Sequence, residues 1–235
     1  GVDTDISPYD SGSYASATTY ITGKAVAKAA ENLKEKVIKM GASMLEVEPD
    51  EVTFNGKCVE KKDQSAKVTL PEIGVRGTFG NNDALQVTEN CGAEISPPPY
   101  MVGIAEVEID KETGNVELID YVAVVDCGTP INPNLARVQT EGGIAQGIGM
   151  ALFEDIQYTE KGAMANNSLM QYKIPSRLDV GKIRVEFKPS YEKSHPFGAK
   201  SIGEIVIDTP CPAIANAVYN AVGLRVEEMP IKPEK

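Results

Sequence analysis

The segment "MVGIAEVEIDKETGNVELIDYVAVVDCG", residues 101–128, narrows the fold more than any other stretch. Ala105, Val107 and Ile109 alternate with Glu106, Glu108 and Asp110. A period of two puts the apolar set on one face of a strand. Lys111 to Gly114 supplies a turn, with Gly114 suited to the left-handed conformation. The returning strand is almost continuously apolar from Val122 to Val125, which predicts an end buried on both faces.

Helical patterns lie on either side of this hairpin. Val26, Ala30, Leu33, Val37 and Met40 recur at helical spacing, and Gly41 is expected to cap the helix they form. Asn55-Gly56 within "EVTFNGKCVE" signals a short hairpin, and Pro71 is expected to open a short helix. Residues 80–100 are rich in Gly, Asn and Pro and read as irregular. Asn132-Pro133 forms an N-cap and first turn, opening a long helix to about Glu154. "KIRVEFKPS" reads as a strand, and Thr209-Pro210 opens a last helix with Ile214, Val218 and Val222 on its core face and Gly223 at its end. Strands and helices interleave without a regular βαβ rhythm, so the expected class is α+β, mixed strands and helices in one or two subdomains.

Composition removes several kinds of chemistry. The net charge of −11, without a basic run, argues against nucleic acid and anionic membranes as partners. No stretch approaches the ~20 apolar residues of a membrane span, and no signal-peptide pattern opens the chain, so a cytoplasmic location is expected. Because the first residue is Gly, the chain is expected to be a processed product, a split subunit or an excised fragment. Cys58, Cys91, Cys127 and Cys211 are widely separated, which weighs against zinc, Fe–S clusters and a disulfide framework within this chain. With His195 as the single histidine, imidazole-rich metal sites are excluded, and no metal-ligating side chain is expected. The chemistry left uses carboxylates, amides, hydroxyls, backbone groups and a borrowed cofactor.

Three stretches remain as candidates for that chemistry. "SGSYASATT", residues 11–19, is rich in hydroxyls and runs into a helix; it suits either a surface loop or an anion cradle. "VQTEGGIAQGIGMALFE" places Gly142, Gly143, Gly147 and Gly149 inside a helix, where each costs roughly 1 kcal/mol relative to alanine. Either another backbone packs closely there or a flat ligand does, and Gln139 would read such a ligand with its donor and acceptor. "HPFGAKSIGE" ends in Glu204 beside an apolar run. That glutamate is either a helix-start residue paired with Lys200 or a base.

Taken in order, these motifs resemble the C-terminal part of the molybdenum-binding subunit in the xanthine dehydrogenase and aldehyde oxidoreductase family of molybdenum hydroxylases. "SYASATTYITGKAV", the hairpin with its following helix, "QYKIPSRLD" and "HPFGAKSIGEIVIDTPCPAIANAVYNAV" match that family's pattern over nearly the whole chain. The resemblance implies a molybdopterin cofactor carrying molybdenum, often in the cytosine dinucleotide form. Ala15, Ser16, Ala17 and Thr18 match the segment that approaches this cofactor, and Gln139 matches the glutamine near the metal. Glu204 matches the active-site glutamate of a K-x-x-G-E motif, with Lys200 at its lysine and Gly203 before the glutamate. Ser201 stands where the family usually has glycine, a departure that a backbone turn is expected to tolerate.

The implied reaction is hydroxylation of a purine, N-heterocycle or aldehyde with water as oxygen source, Glu204 acting as base toward the metal-bound hydroxyl. A carboxylate suits that task when partial burial raises its proton affinity, and a close Lys200 would oppose the rise. The implied partners are a preceding molybdenum-subunit domain or sister subunit, an Fe–S component, an FAD component and a small-molecule substrate. Without them the chain is expected to be inactive. Two other readings compete: a scaffolding domain of the same fold that binds no metal, and an anion-binding protein that uses only the hydroxyl-rich loop. Convergence of Gln139, Glu204 and residues 11–19 on one cleft separates them.

Overall fold

In the computed structural model, residues 3–5, 7, 9–10, 12–80, 84–92, 95–195 and 197–234 are described. Ser11 of the hydroxyl-rich loop and Pro196 of "HPFGAK" lie outside the described residues. The chain divides into two units, residues 1–10 with 21–93 and residues 11–20 with 94–235.

The first unit holds most of helix α1 (Thr18–Met44), strands β1 (Val52–Phe54), β2 (Cys58–Lys61) and β3 (Lys67–Thr69), and helix α2 (Leu70–Phe79). The three strands form an antiparallel meander in chain order. Thr69 and Glu72 close a reciprocal cap at the start of α2, where the Glu72 carboxylate accepts from the Thr69 N–H at 2.7 Å. Val37, Ala42, Val52, Val59 and Ile73 make the core. Gly41 does not end α1 as its sequence position suggests; the helix continues to Met44. A Cβ on Gly41 would lie 2.6 Å from the Cβ of Val59, so the missing side chain lets the helix lie against β2.

The second unit is built on a three-stranded sheet, β4 (Tyr100–Ile109), β5 (Val116–Asp126) and β6 (Lys182–Phe187), in the order β4-β5-β6. The expected hairpin pairs β4 with β5, with a bulge between Glu106 and Val107. β6 runs parallel to β5, reached through helix α3 (Pro133–Leu152), so one β-α-β crossover sits inside the α+β fold. A short helix α4 (Ile205–Asp208) leads into α5 (Pro210–Val222), which Gly223 caps in the left-handed conformation. Leu118, Tyr121, Ala123 and Val125 of β5 meet Ile144 and Ile148 of α3 and Ile214 and Val218 of α5 in the core. The end of β5 is buried on this face only. Val124 stays 40 % exposed, beside exposed Val102 and Ile104 of β4, so the apolar run does not mean burial on both faces. No helix among the described residues is long and apolar enough to cross a membrane.

Candidate functional site

Helix α3 begins where the sequence predicts, with the Asn132 side chain accepting from the Leu135 N–H at 3.1 Å. Its glycines fall into two groups. At Gly143 an added Cβ would strike the Val206 side chain, and at Gly147 it would meet Pro210 Cγ at 2.5 Å and the Ile207 carbonyl at 2.9 Å. Gly142, one residue away, faces open space. Close approach of the α4–α5 corner therefore explains Gly143 and Gly147, and no ligand is needed for them. The same register continues one turn earlier. A Cβ on Gly203 would sit 4.0 Å from the amide nitrogen of Gln139, so the glycine face of α3 carries the 203–204 corner up beside Gln139.

Gly203 also faces the hydroxyl-rich loop. Its hypothetical Cβ would meet Ser16 Oγ at 2.8 Å, so a side chain there would push the loop away. In that loop Ala15 and Ser16 both take left-handed backbone angles, with φ of 50° and 51°. Such angles are uncommon for residues other than glycine and cost energy that the surroundings must supply. Ser13 and Thr18 hydrogen-bond through their hydroxyls at 2.5 Å.

These segments surround a cavity of about 650 Å³. Ser16, Thr18, Gln139, Lys200, Gly203 and Glu204 line it; Ala15 and Ala17 do not. Thr129, Asn132 and Ala136 also form part of the wall, and of these the sequence marks only Asn132, as a helix cap. The starts of both α1 and α3 border the space, so two helix N-termini favour negative charge within it.

Lys200 and Glu204 are four residues apart in sequence but have separate fates. The Lys200 ammonium, whose side chain is 7 % exposed, bonds Asp126 Oδ2 at 2.8 Å and lies 5.2 Å from the centre of the Tyr100 ring. It is thus the partner of Asp126 rather than of Glu204. Burial pushes the Asp126 carboxyl up, but bonds from Lys200, the Gly128 N–H and the Ser190 hydroxyl outweigh it and hold the group below its ordinary range. Glu204 precedes α4 in a helical backbone conformation, makes no capping bond and is exposed. The partial burial expected for it is not provided by this chain's own described residues.

Two backbone bonds fix the loop that carries this pair. The Lys200 N–H donates to the Cys127 carbonyl at 2.7 Å, and the Thr129 N–H donates to the Gly198 carbonyl at 2.7 Å. Gly128, at φ 68°, has the Gly198 carbonyl and the Lys200 N–H where its side chain would be. Asp126 and its neighbours are separated from 198–200 by some seventy residues, so nothing in the sequence signals this clamp. Among the described residues, no three His, Cys, Asp or Glu side chains gather in a way that could hold a metal ion directly.

Comparison with known proteins agrees with this architecture. Residues 1–181 match the molybdopterin cofactor-binding domain family. The probable hypoxanthine oxidase XdhD of Escherichia coli K12 is 36 % identical over 99 % of this chain and 24 % of its own length. The 6-hydroxypseudooxynicotine dehydrogenase complex subunit gamma of Paenarthrobacter nicotinovorans is 32 % identical over 99 % of this chain and 30 % of its own. The crystal structure of quinoline 2-oxidoreductase from Pseudomonas putida 86 superposes with a TM-score of 0.77, at 29 % identity, over 98 % of this chain and 31 % of that one. The chain thus spans about a quarter to a third of the length of these relatives. It belongs to the molybdopterin cofactor-binding domain family, within the molybdenum-binding subunits of the xanthine dehydrogenase and aldehyde oxidoreductase group of molybdenum hydroxylases.

Proposed function

We propose that the cavity is one side of a hydroxylase active site, with Glu204 as its general base. The observation that carries this reading is that Ser16, Gln139 and Glu204 line a single space, with Gly203 between them. The residues present suit a molybdopterin cofactor. Ser13, Ser16, Thr18 and Thr19 offer hydroxyls, Gln139 offers an amide, and the helix starts favour the cofactor's phosphate. When bound, the molybdenum centre supplies the two-electron oxidation that lets an electron-poor carbon gain a hydroxyl from water.

The chain's own groups have distinct tasks. Ser16 and Thr18 would hold the cofactor through their hydroxyls, and Gln139 would offer it an amide hydrogen bond. Glu204 takes the proton lost as water-derived oxygen adds to the substrate. Its carboxylate is exposed and makes no capping bond at its helix, so its oxygens are accessible from the cavity. The rest of the assembly would be a further molybdenum-subunit domain that completes the site, with Fe–S and FAD components carrying electrons away. The relative named as a complex subunit supports such partners. Relatives named for hypoxanthine, a pseudooxynicotine and quinoline support a purine or another N-heterocycle as substrate, and a similar structure titled an aldehyde oxidoreductase supports an aldehyde as well.

The decisive variant is Glu204→Gln in the complete holoenzyme. Molybdenum and pterin content should match wild type while turnover falls about 10²–10⁴-fold, the usual loss for a general base. Normal turnover would refute the assignment of Glu204 as the base.

A further inference from the structure

The single histidine, His195, is 2 % exposed and lies outside the set of residues lining the cavity. Its two ring nitrogens bond in different directions. Nδ1 accepts from the Phe197 N–H at 3.1 Å and from the Ala199 N–H at 3.5 Å. Nε2 lies 2.9 Å from the Thr19 carbonyl, in the first turn of α1. Because Nδ1 accepts, the ring proton is on Nε2, which donates to Thr19. Tyr20 stacks on the same ring with centroids 5.5 Å apart, and its hydroxyl bonds that of Ser194. Ser194 in turn donates its N–H and hydroxyl to Glu192 Oε1, at 2.8 and 2.7 Å.

We infer that His195 is a positioning residue that clamps the hydroxyl-rich loop to the glutamate-bearing loop. It joins the segment that ends at Thr19 to the backbone of 197–199, where Ala199 already lines the cavity and leads straight into Lys200. Ser16 and Gly203, which face one another from the two loops, lie only a few residues from the clamp on either side. Both loops present strained or crowded backbone there: Ala15 and Ser16 are left-handed, and Gly198 sits where a side chain would meet Tyr191 and Thr129. Directional bonds from one ring hold the two loops in register. The inference rests on the reading of the cavity as a cofactor site, because its consequence is the fit of that cofactor.

Two substitutions divide the ring's functions. Asparagine places its amide near Nδ1, keeping a group for the 197–199 turn but losing the bond to Thr19. Glutamine places its amide near Nε2, keeping the bond to Thr19 but losing the turn. In the apo protein, amide exchange across residues 13–20 should rise roughly ten-fold in His195→Asn and stay near wild type in His195→Gln. Molybdenum–pterin content of the holoenzyme should fall about ten-fold in His195→Asn and recover in His195→Gln. Nitrogen NMR of the imidazole should show the Nε2–H tautomer.

Unchanged exchange in His195→Asn, or the opposite tautomer, would overturn the clamp. Raised exchange with undiminished cofactor content would overturn the positioning role. Failure of the functional reading is separate, since it appears as normal turnover in Glu204→Gln whatever His195 does.

Discussion

The two sides of the cavity are built in opposite ways. The side carrying Gln139 and Glu204 is set by volume: Gly143 and Gly147 admit the α4–α5 corner, and Gly128 admits the 198–200 loop. A buried ion pair, Lys200 with Asp126, locks it. The side carrying Ser16 is set by a few directional bonds, from His195, Tyr20 and the Ser13–Thr18 hydroxyls, around two left-handed residues. Packed walls resist change because any added atom must displace neighbours, whereas hydrogen-bonded loops yield locally. Substitutions on the first side should therefore act on the stability of the whole unit. Those on the second should act on loop order and cofactor fit.

The largest effect expected on the packed side is from Asp126→Asn, which leaves the Lys200 ammonium buried without a counter-charge. Chemical denaturation should show a loss of about 3 kcal/mol, the lower end for a broken buried pair because Asp126 is partly exposed. Adding Lys200→Met should restore much of the loss, since the uncompensated charge is then gone. The pH dependence has a definite sign. The folded carboxyl lies below its ordinary range, so its stabilisation is complete above the unfolded aspartate value. It is lost as the pH falls through the lower folded value. The Asn variant should lack that acid-side decline, and equal declines in both proteins would remove Asp126 as its source.

Gly147→Ala and Gly142→Ala sharpen the comparison further. At 147 the new methyl meets Pro210 and the Ile207 carbonyl, so crowding of about 1–3 kcal/mol opposes a helix gain near 1 kcal/mol. At 142 the methyl meets nothing within 4 Å, and the variant should be stabilised by about 0.5–1 kcal/mol. Similar melting shifts for the two would break the volume argument. The smallest effect belongs to the other side. Ala15→Gly relieves a φ of 50° and should raise stability by less than about 1 kcal/mol, because glycine also gains freedom in the unfolded chain. A clear loss in that variant would show that the left-handed backbone at Ala15 carries no strain.

Elements whose signals are local were legible in the sequence. The Asn132-Pro133 helix start, the turn at Gly114, the hairpin at Asn55-Gly56 and the Gly223 cap depend on residues within a few positions of one another. Gly41 and Val124 were misread for one shared reason. A glycine near a helix end looks like a cap until Val59 is brought against it, and an apolar run looks buried on both faces until one face is left open. β3 and the parallel placement of β6 also went unsignalled, because pairing partners are not written in local periodicity. For the site, the sequence picked out Ser16, Thr18, Gln139, Lys200, Gly203 and Glu204, which line the cavity, together with Ala15 and Ala17, which do not. It did not show that Lys200 turns to Asp126 or that the single histidine ties two loops together.

By itself, then, the sequence determined which residues could do chemistry and which short segments would be helices, turns and strands. Spacing, capping and backbone preference act over a few residues, and so can be read along the chain. Tertiary structure alone decided which charge is neutralised, which glycine is a contact and which carboxylate stays free. Those outcomes depend on volume and distance between groups that are some 60 to 180 positions apart in sequence, as Gly147 is from Pro210, Lys200 from Asp126 and His195 from Thr19.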